Sequence, residues 1–128
     1  MKLLSIGCGA ICKSFFEHLY MRRLAGKRRL VNIEKLTIID PVLKKEEWHE
    51  TITTWVGVQP SILNIELGRN NVDYELVSLL LDEHNLVMDL RDGVNSLAII
   101  ELCRLKNVNY INTSVCERSM LVRSKSRL

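Results

Sequence analysis

A chain of 128 residues, 47% hydrophobic and 26% charged, can bury the core of one domain but is too short for a two-domain enzyme. Its net charge of +3 does not by itself point to nucleic acid, and the basic stretches MRRLAGKRR (21–29) and RSKSRL (123–128) carry no interleaved aromatic residues. No run approaches the ~18 apolar residues of a membrane span, and the apolar stretch ahead of Cys8 is far too short for a secretory leader.

Strands buried on both faces appear as short continuous apolar runs, and such runs recur along the chain. KLLSI (2–6) comes first, followed by ICKSFFEHLYMRRL (11–24), whose Ile11, Phe15, Phe16, Leu19 and Met21 or Leu24 fall near one face at helical spacing. KLTII (35–39) is the second strand. EEWHETITTWVG (46–57) suits a strand or a short helix, and ILNIEL (62–67) is a weaker strand candidate. NVDYELVSLLLDE (71–83) is helical through Val72, Leu76, Leu79 and Leu80. NLVMDL (85–90) is a strand, SLAIIELCRLKN (96–107) a helix through Leu97, Ile100, Leu102 and Leu105 with Asn95 or Ser96 as N-cap, and NYINTS (109–114) the last strand. This alternation predicts an α/β domain with a doubly wound, mostly parallel sheet over residues 1–115, followed by a basic tail over 116–128.

Cys8, Cys12, Cys103 and Cys116 form no C-x-x-C pair and the three histidines are scattered, which argues against a zinc site. Free thiols of this kind suit a reducing, cytoplasmic setting. His18, His49 and His84 have no nucleophile at motif spacing and read as surface residues, so no catalytic acid or base is nominated.

Gly7-Cys8-Gly9-Ala10-Ile11-Cys12 leaves the first strand and opens a helix, the position of a dinucleotide fingerprint. Gly7 suits the tight turn, and Gly9, lacking Cβ, lets a pyrophosphate approach the helix N-terminus, where free N–H groups favour an anion. The third fingerprint position is Cys12, whose added volume is expected to push the helix slightly outward. The alternative is a glycine turn without a ligand. Asp40 in LTIIDP (36–41) stands at the end of the second strand, where a carboxylate can accept ribose hydroxyls and repel a 2′-phosphate, favouring NAD over NADP. Its alternative reading is a helix cap or turn former. Cys12 and Asp40 are 28 positions apart, against roughly 20 in the usual fingerprint, a surplus explained by a long first helix or exit loop. Ligands lie beyond the carboxyl ends of such strands, which singles out Gly7–Ala10, Asp89–Val94 and Thr113–Glu117.

With GCGAI, IIDP and NLVMDLRDGVNSLAIIELCRLKNVNYINTSV (85–115) in view, the chain resembles the amino-terminal part of homospermidine synthase, a relative of saccharopine dehydrogenase. The resemblance spans residues 2–115 and implies a Rossmann-like domain serving NAD-dependent aminobutyl transfer. In that reaction a putrescine amine is oxidised to an imine, ammonia leaves, a second diamine adds, and the reduced cofactor returns its hydride. It further implies that Gly7, Gly9, Ala10 and Ile11 hold the pyrophosphate, that Asp40 holds the adenosine ribose, and that Asp89, Leu90 and Thr113 border the dinucleotide. Arg91 replaces a small hydroxyl residue of the family, and Cys116-Glu117-Arg118 replaces an acidic-proline-tryptophan sequence.

The family's catalytic domain is absent, so the chain is expected to act with a separate polypeptide, or as a homo-oligomer, rather than alone. A second reading is a ligand-free regulatory or scaffolding protein that self-associates through an uncovered apolar face, with Trp48 and Trp55 as candidates either for that face or, equally, for the core. Nucleic-acid binding ranks last.

Overall fold

The computed structural model describes residues 1–26, 32–67, 71–91 and 96–112. Apolar runs too short to cross a core as helices pair instead as strands, and the longer amphipathic stretches between them cover both faces of the resulting sheet. In chain order the elements are β1 (Lys2–Ile6), α1 (Ala10–Leu24), β2 (Lys35–Ile39), α2 (Lys45–Val56), β3 (Ser61–Leu63), α3 (Asn71–Leu81), β4 (Leu86–Asp89), α4 (Leu97–Lys106) and β5 (Asn109–Asn112).

The sheet runs β3-β2-β1-β4-β5 with every described pairing parallel. This is the doubly wound order, in which the winding reverses between β1 and β4. Register places Ile6 opposite both Ile39 and Asp89, and Ile39 opposite Leu63, so four strands end level on one side of the molecule.

Side chains alternate across the sheet. Leu3, Leu36, Ile38, Ile62 and Met88 meet Cys12 and Phe16 of α1 and Ile52 and Val56 of α2. Leu4, Ile6, Ile39 and Val87 meet Val77 and Leu81 of α3 and Ile99 and Cys103 of α4 on the other face. The two tryptophans pack partly buried against the first cluster, their ring centroids 6.2 Å apart, which is the core alternative of the two that the sequence left open.

The helices form where the periodicity places them, but their phases differ. Ile11, Met21, Leu24, Leu79, Leu97 and Leu105 are exposed, and the faces toward the sheet are set by Cys12 and Phe16, Val77 and Leu81, and Ile99 and Cys103. A cysteine is a compact hydrophobe, and both Cys12 and Cys103 are buried against the sheet. Reading the stripe from large residues alone missed that. The ambiguous segment is helical: Glu46 and Glu47 sit in the first turn of α2, where negative charge meets the helix dipole, and Gly57 ends it with φ +92°. Of ILNIEL, only its first two residues belong to β3, after which the chain leaves the sheet.

His84 closes the opposite end of the sheet. Its Nδ1 lies 2.6 Å from the Leu80 carbonyl and its Nε2 2.9 Å from the Thr37 hydroxyl. A carbonyl only accepts, so Nδ1 carries the proton and Nε2 accepts from Thr37. Contrary to its sequence reading as a surface residue, His84 is buried. Burial holds its pKa below the ordinary histidine range; Lys35 and Lys2 lower it further, while the Leu80 carbonyl and Glu83 oppose the shift. The neutral ring therefore contributes stability that is complete above the unfolded pKa of about 6.5 and is lost as pH falls below it. Urea midpoints are expected to drop between pH 7.5 and pH 5, and His84→Gln is expected to flatten that part of the profile.

Candidate functional site

The site grows from the turn after β1. Gly7 adopts φ +92°, and its N–H donates to the Ile39 carbonyl at 2.7 Å, which ties the turn to the end of β2. A Cβ at Gly7 would lie 3.5 Å from the Leu90 carbonyl carbon, an ordinary contact, so it is the backbone angle that favours glycine. Gly9 differs. Its φ is −90°, and a Cβ built there meets nothing within 4 Å, because the residue faces open space at the N-cap of α1. The amides of Gly9, Ala10 and Ile11 have no acceptor among the described residues, as the first turn of a helix requires. These N–H groups and the helix dipole make a ready anion site.

Cys12, at the third fingerprint position, is fully buried with its Sγ 3.6 Å from the Ser5 hydroxyl. The thiol is accommodated against a small serine of β1. Cys8 is buried as well, and its hydrogen bond with Cys12, together with burial, pushes its pKa up, so it is a protonated thiol at neutral pH.

Asp40 stands directly after β2, where IIDP placed it, and its contacts are those of its alternative reading as a turn former. Its Oδ2 accepts from the Cys8 amide at 2.7 Å, while Oδ1 accepts from the Val42 and Leu43 amides at 2.8 and 2.9 Å. The carboxylate is thus a turn former that also straps the glycine turn to the loop after β2. An ionised carboxylate has about four acceptor positions, so these three bonds leave room for one further donor rather than for two ribose hydroxyls. Asn64, which the sequence reading passed over, holds the same loop by donating from Nδ2 to the carbonyls of Asp40 and Leu43. Its signal was a lone amide residue directly after the apolar run of β3.

Beside this turn lies a cleft of about 200 Å³, lined by Ile6, Gly7, Ile39 and Pro41 at the ends of β1 and β2, by Ile65, Glu66 and Leu67 after β3, and by Arg91 after β4. Asp89 and Arg91 behave as a pair. Arg91 donates from Nε to Oδ1 and from Nη2 to Oδ2, each at 2.9 Å, a two-point contact that fixes the guanidinium plane. Ser96 and Tyr110 donate to the same Oδ2 at 3.1 and 2.8 Å. Burial pushes Asp89 upward, but its bonds from Arg91 and Tyr110 more than offset this and hold the carboxyl below the usual range. Burial together with Asp89 pushes the Tyr110 hydroxyl up, although the Ser96 and Asn112 hydrogen bonds oppose it.

The candidate residues therefore separate. Gly7, Gly9, Ala10, Ile11 and Asp40 come together around one turn, with Leu90 against Gly7. The Asp89 carboxylate is committed to protein donors and reaches the cleft only through Arg91. Ser96 occupies the N-cap of α4 without capping it, since its hydroxyl turns to Asp89. Thr113, Ser114, Asn95, Val94 and Cys116-Glu117-Arg118 lie outside the described residues. Among the described residues no group of three or more His, Cys, Asp or Glu side chains is placed to hold a metal, and no helix is long and apolar enough to cross a membrane.

A parallel sheet in this strand order, with a glycine turn opening a helix at its switch point, defines the doubly wound class of dinucleotide-binding domain. The chain belongs to the family described as the saccharopine dehydrogenase NADP binding domain, whose model matches residues 3–127. Its fold is similar to that of a histidine-tagged apo saccharopine dehydrogenase (L-Glu forming) from Saccharomyces cerevisiae, with a TM-score of 0.54 at 10% identity over 95% of this chain. The chain spans 23% of that solved chain. Comparison with curated protein sequences gives no match.

Proposed function

We propose that this chain binds NAD as the cofactor domain of an oxidoreductase. The observation that carries the reading is the run of acceptor-free amides at Gly9, Ala10 and Ile11 beside an acid-tethered turn. In this reading the pyrophosphate lies on those amides, one ribose hydroxyl donates to the remaining acceptor position of Asp40, and Leu90 and Thr113 border the dinucleotide. Asp89 acts from beneath by holding Arg91. Negative charge on Asp40 disfavours a 2′-phosphate, which is the reason for choosing NAD over NADP. The reaction class we assign to the assembled enzyme is aminobutyl transfer of the homospermidine synthase type, in the cytoplasm, with residues 1–115 as the cofactor domain and 116–128 as a tail.

Calorimetric titration of the purified chain tests this. Saturable NAD binding, tighter than that of NADP, is expected. Absence of heat with either dinucleotide would remove the cofactor role, and tighter NADP binding would reverse the assignment made from Asp40.

A second reading, self-association without a ligand, draws on one observation: Leu79, Leu97, Leu105 and Ile111 are exposed on α3, α4 and β5. Sedimentation of the chain with and without NAD separates the two, since a scaffold dimerises regardless of the dinucleotide.

A further inference from the structure

The cleft beside the glycine turn is smaller than the roughly 300–1,000 Å³ of sites for whole drug-sized ligands, and at about 200 Å³ it suits a single ring system. Its walls are mainly aliphatic, from Ile39, Pro41, Ile65 and Leu67, and its charged lining residues are Glu66 and Arg91. That guanidinium is not free to pivot. Two N–H bonds to Asp89 hold it, Asp89 is itself held by Ser96 and Tyr110, and Tyr110 accepts from Asn112 Nδ2 at 3.0 Å. A chain of polar contacts reaching β5 thus orients one flat group at the cleft.

The charge of that group is already matched by a buried carboxylate, which removes most of its value for capturing an anion. What remains is a rigid, planar, weakly hydrated surface, the part of arginine that stacks on aromatic rings. Gly7 and Pro41 border the same cleft, next to the groups assigned above to pyrophosphate and ribose. A base attached to a sugar at Asp40 has its nearest apolar enclosure here.

We propose that Arg91, clamped flat by Asp89, is a ligand-contacting residue that stacks on the adenine ring of the bound nucleotide, with Asp89 as its positioning residue. The inference rests on the dinucleotide reading of the turn and adds to it a base-specific contact. It explains why a bulky residue is tolerated at the switch point: held by Asp89, Arg91 lines the cleft instead of filling it.

The test uses the full chain with AMP and ribose 5-phosphate as paired probes, measured by calorimetry at two ionic strengths. Arg91→Lys keeps an ion pair for Asp89 and so protects folding, yet it removes the planar surface. It is expected to weaken AMP binding by about tenfold and to leave ribose 5-phosphate unchanged, with the difference insensitive to salt. Arg91→Ala is expected to match or exceed that loss, and Asp89→Asn to lose part of it by loosening the clamp. AMP affinity unchanged in Arg91→Lys would overturn the stacking role. An equal, salt-dependent loss for both probes would overturn it in favour of a phosphate contact. A wild-type chain that binds neither AMP nor NAD would overturn the dinucleotide reading along with it, whereas wild-type NAD binding with indifferent Arg91 variants would overturn this inference alone.

Discussion

Asp40→Ala is expected to lower the unfolding free energy by about 3–4 kcal/mol, measured by urea denaturation with Trp48 and Trp55 fluorescence as the probe. The substitution takes the acceptor from three amides at once, those of Cys8, Val42 and Leu43, of which the Cys8 and Leu43 bonds are buried. A buried donor left without a partner costs about 1–3 kcal/mol, and bonds to a charged acceptor sit at the upper end. Against a typical total of about 5–15 kcal/mol, such a loss brings the domain close to unfolding. Asp40→Asn keeps one oxygen for the Val42 and Leu43 amides but turns an NH₂ group toward the Cys8 N–H, so about 1–2 kcal/mol is expected. A change below 0.5 kcal/mol for the alanine variant would show that the three bonds are replaced by water at no cost. Loss of NAD binding in Asp40→Ala is therefore ambiguous taken alone, because the ligand site and the fold share this carboxylate.

Gly9→Val resolves that ambiguity. A Cβ at Gly9 meets nothing within 4 Å and the residue has φ −90°, so the variant is expected to fold with a cost below about 1 kcal/mol. Its branched side chain nevertheless projects where an anion would approach the α1 amides. NAD affinity is expected to fall by about a hundredfold, equivalent to about 2.7 kcal/mol. Gly7→Ala should behave in the opposite way, since φ +92° strains any other residue by about 1–3 kcal/mol, and the Leu90 backbone lies at van der Waals distance. NAD binding by Gly9→Val at wild-type strength would mean that the turn is a bend without a ligand. The contrast between two glycines two positions apart is what a shared structural role would not produce.

The strands were legible because parallel pairing needs apolar residues on both faces, and KLLSI, KLTII and NLVMDL show this without help from the rest of the chain. The position of Asp40 was legible for a related reason, as proline ends the strand directly after it. Its partners were not. Two of its three amides come from the loop that follows, whose path depends on Asn64, more than twenty residues further along. The Asp89 network was hidden for a topological reason: β5 lies beside β4 with Tyr110 opposite Val87, so the hydroxyl reaches diagonally to Asp89 across a pairing that no local pattern announces. Helix phase failed where thiols replace large side chains, because Cys12 and Cys103 carry little weight in a hydrophobic stripe yet are buried as fully as Phe16 in α1 and nearly as fully as Ile99 in α4. The glycine turn itself was readable, since it needs only a strand, two glycines and a helix start in succession.

The same two helices give the molecule an internal chemical reporter. Cys8, Cys12 and Cys103 are free and enclosed. Burial and Asp89 push the Cys103 pKa to about 11, and Cys8 is also raised. An alkylating reagent, which attacks the thiolate, can therefore reach them only through transient opening of the surrounding structure. Cys8, within the glycine turn, and Cys12, in the first turn of α1, belong to the core on one face of the sheet and Cys103 to the core on the other. Peptide-resolved alkylation rates consequently separate breathing of the N-terminal end of α1 from that of the opposite helical layer, without any engineered label.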